Sequence, residues 1–402
     1  MHEHFDWYES LPLTTMLKTI KIENFRCFQF FELQQLGRIN LLVGENNSGK
    51  TSILEAIQLL CSRTNLEPLG EIMINRGEYF WSDEPRGERE LDICHLFYEH
   101  QFDIDSQFSI SGFNNNNNEE KFSMKIGKPT LNIDLNELDQ ESKRKIIENL
   151  STIDINNLNC QFVWQLKDES HESQQEMATL PLSDNNCLFF RDTKRFNLSK
   201  TNEISNTILV NSSSLNTIKM KELFDEIVLT PEEELVTESL RIIEPKIERI
   251  ATANVQKSTQ IVRLRSTADS HTGFFVRLSD KKQRVPIGSM GDGVWRILGL
   301  ALAIVSAKDG YLFVDEIDTG LHFTTMSGMW RMIWETAKRL NVQVFATTHS
   351  NDCWKSLADI AETENVTDDG IRIHRIEKGK ENSIVFDESE IVIAAEENIE
   401  VR

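Results

Sequence analysis

The sequence predicts an α/β fold carrying an inserted α+β lobe, and three observations predict it. Gly44 to Thr51 is a glycine-bounded loop between an apolar, partly β-branched run, Ile39-Asn40-Leu41-Leu42-Val43, and a segment from Ser52 to Leu60 with apolar residues at helical spacing. Two further apolar runs, Tyr311 to Val314 and Val342 to Thr347, alternate with helical patterns late in the chain. Between them the regular alternation is lost, and residues 101–259 read as short strands followed by helices. The expected division is an extension at 1–15, a first half-domain at 16–100, the lobe at 101–259 and a second half-domain at 260–402.

In chain order, Leu17, Ile20 and Ile22 interleave with Lys18, Thr19 and Lys21, the pattern of a half-buried strand from Met16 to Arg26. Phe28 to Leu33 gives a second strand, and Leu36-Gly37-Arg38 turns into the third, Ile39 to Val43. The loop that follows, Gly44-Glu45-Asn46-Asn47-Ser48-Gly49-Lys50-Thr51, fits G-x-x-x-x-G-K-[ST] at every fixed position and runs into a helix at Ser52. Gly44 and Gly49 let backbone N–H groups converge on phosphate oxygens at a helix N-terminus, whose dipole favours negative charge. Lys50 would reach the β- and γ-phosphates, and the Thr51 hydroxyl would ligate Mg²⁺. A chance glycine loop is the alternative, and the strand and helix on its flanks count against it.

The middle of the chain is less ordered in pattern. Leu91 to Tyr98, Phe108 to Ile110, Phe122 to Ile126, Leu131 to Ile133, Cys160 to Leu166 and Cys187 to Phe190 read as strands, and Gln140 to Asn149 as a helix. The asparagine tract from Asn114 to Asn118 reads as a loop tip. Thr230-Pro231-Glu232-Glu233 is a capping box with proline at the first helical position. The stripe Leu235, Val236, Leu240, Ile243, Ile247 and Ile250 then reads as one core-facing helix, kinked at Pro245. Strands are expected at 260–265 and 274–278, with a turn at Asp280 to Lys282.

Gly288-Ser289-Met290-Gly291-Asp292-Gly293 opens a helix from about Val294 to Ala307, a second geometry able to hold an anion. Tyr311 to Val314 is an apolar strand ending in Asp315 and Glu316, the arrangement in which the first carboxylate serves the Mg²⁺ shell and the second polarises an attacking water. After Ile317 to His322 comes a helix at about Thr325 to Leu340, then the strand that ends at Thr348-His349-Ser350. A histidine at that end of a strand lies on the edge of an α/β sheet where ligands bind, although a lone histidine is more often a structural hydrogen-bonder.

Charge and cysteine usage restrict the partners. With 43 basic and 64 acidic residues the net charge is −21, which repels nucleic-acid phosphate overall. A DNA role would need a local patch, for which Arg191, Lys194 and Arg195, the pair Arg263 and Arg265, and Lys281, Lys282 and Arg284 are candidates; each reads more simply as solvated surface. Six scattered cysteines, without a C-x-x-C pair or a zinc-site spacing, read as reduced, mostly buried thiols. No apolar run is long enough for a membrane span and no signal pattern opens the chain, so a cytoplasmic protein without membrane contact is expected.

Glycine cradle, serine-glycine helix start, acidic strand end and strand-end histidine, in this order, resemble the ABC-type ATPase head, and within it the RecF/SMC-like and OLD-family branch. The start Met16 to Arg26 is similar to that branch's Met-Leu-x-x-Ile-x-Ile-x-Asn-Phe-Arg opening. The resemblance implies a P-loop NTPase with an ABC-like mixed sheet flanked by helices, binding ATP and Mg²⁺. Gly44, Asn46, Asn47, Ser48, Gly49, Lys50, Thr51 and Ser52 would form the cradle, with Thr51 and Asp315 on the metal. Ser289, Gly291 and Gly293 would be the signature motif, Asp318 to His322 the D-loop, and Lys50, Glu316 and His349 the catalytic set.

The 239 positions from Lys50 to Ser289 are too many for a transporter subunit, and the insert lacks the heptads of an SMC coiled coil. The 53 residues after His349 leave no room for the Toprim nuclease of a full OLD protein. The expectation is therefore a stand-alone AAA-type ATPase of the kind found in bacterial anti-phage modules. It would work as a head-to-tail homodimer or higher oligomer that sandwiches ATP and regulates a separate effector protein. The competing expectations are a RecF-like DNA-repair ATPase and a scaffold that holds ATP without turnover. Acids near the C-terminus, Asp368-Asp369 and Glu388-Ser389-Glu390, read as solvated faces rather than as a nuclease.

Overall fold

The computed structural model describes residues 16–82, 87–116, 118–128, 158–168, 173–195, 206–212, 215–252, 273–363 and 369–402. Residues 1–15, the expected elements at 131–133, 140–149 and 260–265, and with them Arg263, Arg265 and Asp368, lie outside that set. The chain forms two compact units, one from the described parts of Met1–Lys18, Leu33–Leu54 and Ser205–Arg402, the other from those of Thr19–Glu32 and Glu55–Ile204.

The first unit is built on a six-stranded sheet of β1 (Ile39–Val43), β2 (Thr207–Val210), β3 (Tyr311–Val314), β4 (Gln343–Thr347), β5 (Ile371–Arg375) and β6 (Ile384–Phe386), in the order β2-β3-β4-β1-β5-β6. The first five strands in that order run parallel, and β6 is antiparallel to β5. A parallel sheet is covered on both faces, which explains why β1, β3 and β4 are buried along their whole length and read as continuous apolar runs. Helices α1 (Lys50–Cys61), α2 (Asp292–Ser306), α3 (Phe323–Arg339) and α4 (Asn351–Thr363) follow their strands or loops as the alternating pattern predicts. A smaller antiparallel sheet joins Ile247–Thr252, Phe274–Leu278 and Val285–Pro286.

Several expectations are corrected here. The helix at Thr230 stops at Arg241, and Ile247–Thr252 is a strand, so the segment is not one kinked helix. Ile247 and Ile250 imitate helical spacing because the strand's register shifts between Ile247 and Arg249, which lets residues three apart share one face. The helices Thr217–Ile227 and Pro231–Arg241, expected in the insertion, fall in the first unit. Their buried Met220, Leu223, Val236 and Leu240 share one core with Ile39, Leu41, Leu312 and Val344. Strand β2 went unread, being only four residues, yet it forms the sheet edge beside β3. Glu388 is no solvated acid: it is 2% exposed, accepts from the Ile371 N–H at 2.9 Å and pairs with Arg372. It opens the helix Glu388–Glu396, whose capping box is formed by Asp387 and Glu390.

The second unit holds most of a six-stranded sheet, in the order Phe28–Leu33, Leu17–Phe25, Gln107–Asn114, Glu119–Gly127, Asn159–Lys167, Ser173–Pro181. The last four of these strands are antiparallel. A three-stranded sheet of Leu188–Phe189, Arg89–Leu91 and Tyr79–Trp81 accompanies it. The expected strand from Leu91 to Tyr98 ends at Leu91, because the Asp92 carboxylate accepts from the Cys94 N–H at 3.3 Å and caps a 3₁₀ turn at Ile93–Leu96. Arg26, at the end of the Asn-Phe-Arg opening, has φ +53° and is buried. It pairs with Glu55 at 2.7 Å and Glu78 at 2.7 Å, so this arginine is a structural anchor.

One buried histidine makes the first unit sensitive to acid. His374, on β5, lies between Asn40 Oδ1 at 3.4 Å and Ser383 Oγ at 3.3 Å, and burial with the nearby Arg372 charge lowers its pKa from 6.5 to about 3. Folding thus favours the neutral ring, so its contribution is complete above pH 6.5 and is lost as pH falls towards 3. Thermal unfolding from pH 7 to 4 should show a steeper loss of Tm in the native protein than in a His374→Gln variant; equal slopes would contradict this.

Candidate functional site

The register of the sheet assembles the site. β3, β4 and β1 are parallel neighbours, with Val314 opposite Ala346 and Thr347 opposite Leu42, so the loops that leave them emerge on one edge. That carboxyl edge is where open α/β sheets bind ligands. It carries Gly44 to Thr51 after β1, Asp315 and Glu316 after β3, and Thr348-His349 after β4.

The loop after β1 has the backbone of a cradle. Gly44 has φ +144°, and a Cβ there would lie 2.4 Å from the Ile376 carbonyl oxygen. Gly49 has φ +99° and Asn47 φ +61°. Ser48 is buried with its hydroxyl unpartnered by any protein group, a polar atom that an incoming phosphate oxygen would satisfy. Helix α1 starts at Lys50 with no acidic residue in its first turn, so no carboxylate of the helix itself neutralises its positive end. Ser52 is buried behind the loop, while Asn46 is exposed at its rim. Lys50 Nζ donates to the carbonyls of Gly44 at 2.9 Å and Glu45 at 2.7 Å. Burial lowers its pKa, and the charges of Asp315 and Glu316 oppose that shift.

Thr51 Oγ1 lies 3.1 Å from Asp315 Oδ1. Adjacent oxygens of an octahedral Mg²⁺ bound at 2.0–2.1 Å are about 2.9 Å apart, so this pair fits two neighbouring positions on such an ion. Asp315 also accepts from Thr347 Oγ1 at 2.7 Å. The same Thr347 hydroxyl receives the Glu316 N–H at 2.8 Å. Glu316 has φ +47°, a conformation unfavourable for a side chain of its size and concentrated at functional sites. Thr319 Oγ1 donates to its carboxylate at 3.3 Å, and Thr348 Oγ1 donates to Asp318 at 2.6 Å.

His349 is exposed and borders a cleft of about 390 Å³ with Gly44, Glu45, Asn46, Glu400 and Arg402. Its carbonyl accepts from Arg402 Nη1 at 2.7 Å. Ser289, Gly291 and Gly293 do not line that cleft. Ser289 is exposed and donates to the Pro286 carbonyl at 2.7 Å. Gly291, at φ +96°, is the residue from which α2 starts, with no side chain capping its first N–H groups. A Cβ at Gly293 would find its nearest neighbour, the Gly320 carbonyl oxygen, at 3.6 Å, so packing alone does not demand glycine there.

Comparison with known proteins decides the family, since the description "AAA ATPase domain" matches residues 16–353. The chain belongs to that family. This AAA ATPase domain protein is 21% identical over 353 residues to an "ATP/GTP phosphatase" of Helicobacter pylori, covering 84% of this chain and 86% of the relative. It is 46% identical over 44 residues to the DNA replication and repair protein RecF of Clostridioides difficile, a stretch covering 11% of this chain and 12% of RecF. A solved Smc head domain with an extended coiled coil, bound to the C-terminal domain of ScpA and derived from Pyrococcus furiosus, aligns over 96% of this chain and 99% of its own, at 11% identity and a TM-score of 0.45. The RecF/SMC-like character read from the motifs agrees with the family. Among the described residues no helix is long and apolar enough to cross a membrane.

Sequence reasoning missed two residues of this candidate site. Thr347 was read only as the end of a strand, although its hydroxyl joins Asp315 to the Glu316 backbone. Arg296 is 3% exposed inside α2, and a lone arginine in the run Val294 to Val305 was the available signal. Its guanidinium donates to the carbonyls of Asn211 at 2.8 Å, Asp315 at 3.3 Å and Glu316 at 3.0 Å. Burial lowers its pKa to about 10 against the pull of Asp318, Asp315 and Glu316, so it stays charged. Arg296 is a positioning residue, fixing the backbone that carries both acids to the helix that begins at Gly291. Arg296→Lys, a point charge without the planar fork, should lower ATP turnover by on the order of tenfold or more while ATP binding persists. Unchanged kcat in a variant of normal Tm would contradict that role.

Proposed function

We propose that this protein is a Mg²⁺-dependent ATPase acting as a nucleotide-sandwich dimer, a switch that regulates a separate effector, a nuclease or toxin, in anti-phage defence. The convergence of Lys50, Thr51, Asp315 and Glu316 at one sheet edge, with Ser289 and Gly291 exposed outside the cleft, carries the proposal. In this reading the cradle N–H groups and Lys50 take the phosphates, and Thr51 and Asp315 would hold Mg²⁺, which when bound would supply positive charge against the phosphate oxygens. Glu316 accepts the proton of the attacking water, and His349 contacts the γ-phosphate. Ser289 and the N-terminus of α2 from a second copy would close over the nucleotide, so ATP bound by both subunits stabilises the dimer and hydrolysis releases it.

The effector and the defence context rest on the motif resemblance alone. The RecF match favours a second reading, a DNA-repair ATPase. Against it stand the charge of −21 and the pairing of Arg191 with Glu88 and Lys194 with Glu67. Salt-dependent binding to DNA would favour that alternative.

Glu316→Gln should slow ATP turnover by about 10²-fold or more, because a positioned base is lost. ATP should still bind, and an ATP-dependent dimer should accumulate in sedimentation. Native turnover in that variant would remove Glu316 from its role, and absence of the dimer would count against the sandwich.

A further inference from the structure

We propose that Asp92, Cys94 and His95 form a binding site for a thiophilic divalent cation of the Zn²⁺ type, within the second unit and separate from the ATP site. The three ligand atoms lie within 4.8 Å of one another. They are half-buried, open enough for an ion to enter and sheltered enough to hold it. Local structure brings them together: Asp92 caps the 3₁₀ turn that carries Cys94 and His95, and its second oxygen lies 3.5 Å from His95 Nε2. Closing these atoms onto a tetrahedral ion needs side-chain shifts of about 1 Å.

The second observation is the support behind His95. Its other ring nitrogen, Nδ1, lies 3.2 Å from His100 Nδ1, with the rings edge to face. A histidine that ligates through Nε2 carries its proton on Nδ1 and donates it to an outer partner, which orients the ring and raises its basicity. His100 is that acceptor. The chain reaches it through two consecutive left-handed residues, Glu99 at φ +61° and His100 at φ +57°, a backbone that local propensity does not favour. Asp92 also borders a polar cavity of about 300 Å³ together with Glu90 and Cys187, and a water would complete the fourth position on the ion.

The donor set decides the metal. Thiolate, imidazole and carboxylate select Zn²⁺ or Co²⁺, whereas Mg²⁺ prefers oxygen ligands such as those at Thr51 and Asp315. The same chain would therefore offer two chemically different cation sites.

The test is a Co²⁺ titration of the chelator-treated full chain, read by the thiolate-to-cobalt charge-transfer band, with Zn²⁺ as competitor. One equivalent of Co²⁺ should produce the band, and Zn²⁺ should abolish it. Cys94→Ser and His95→Gln should lose it, Cys187→Ser should keep it, and His100→Ala should weaken binding 10- to 100-fold. The far-UV circular dichroism and Tm should be unaffected in all four variants, which separates loss of the site from loss of the fold. No band in the folded native protein, or a band that survives Cys94→Ser, would overturn the proposal.

Discussion

The geometry of the sheet's carboxyl edge depends on the hydroxyl of Thr347. It donates to Asp315 Oδ1 at 2.7 Å and accepts the Glu316 N–H at 2.8 Å, so one small side chain at the end of β4 fixes both the acid assigned to the metal and the backbone of the acid assigned to water. A hydrogen bond to a charged group contributes about 1.5–3 kcal/mol, and a conformation such as Glu316 at φ +47° costs about 1–3 kcal/mol. The two are of similar size. The strained geometry is tenable because Thr347 from β4 and Arg296 from α2 hold it from two sides.

Arg296 gives this arrangement a direction. Its guanidinium binds the Asp315 and Glu316 carbonyls, and it sits on the helix whose N-terminus, at Gly291 and Asp292, is exposed. Any contact made at that N-terminus is thus connected through one rigid helix to the backbone of both acids. A ligand shifts such a system only as far as its differential affinity allows. In the proposed dimer the nucleotide held by one subunit would press on the signature segment of the other, and α2 would carry that contact to the acids beside the partner site.

What was legible in the sequence was local. The cradle, the fully buried β1, and the acids after β3 could be read because each lies within one strand-loop-helix segment, where residue type and spacing are sufficient. What was missed depends on pairing across long sequence distances. β2 has four residues and is defined only by its register against Tyr311 to Val314. The helices at 217–227 and 231–241 belong with the first unit because their stripes join the same core as Leu312 and Val344, which no window of sequence displays. Ile247 and Ile250 were read as helical because a strand irregularity reproduces a helical spacing. Arg296 gave a signal, a charge within an apolar helix, whose meaning required knowing which carbonyls lay beneath it.

In the proposed switch each ATP site is shared between two copies of the chain. The most direct measurement mixes two inactive variants, Lys50→Ala, which lacks a working cradle, and Ser289→Arg, which blocks the signature segment. If the site is shared, every mixed dimer carries one intact cradle facing one intact signature. An equimolar mixture should then recover about one quarter of native ATP turnover, since random pairing makes half the dimers mixed and each has one of two sites. A mixture no more active than its two parents would rule out the shared site.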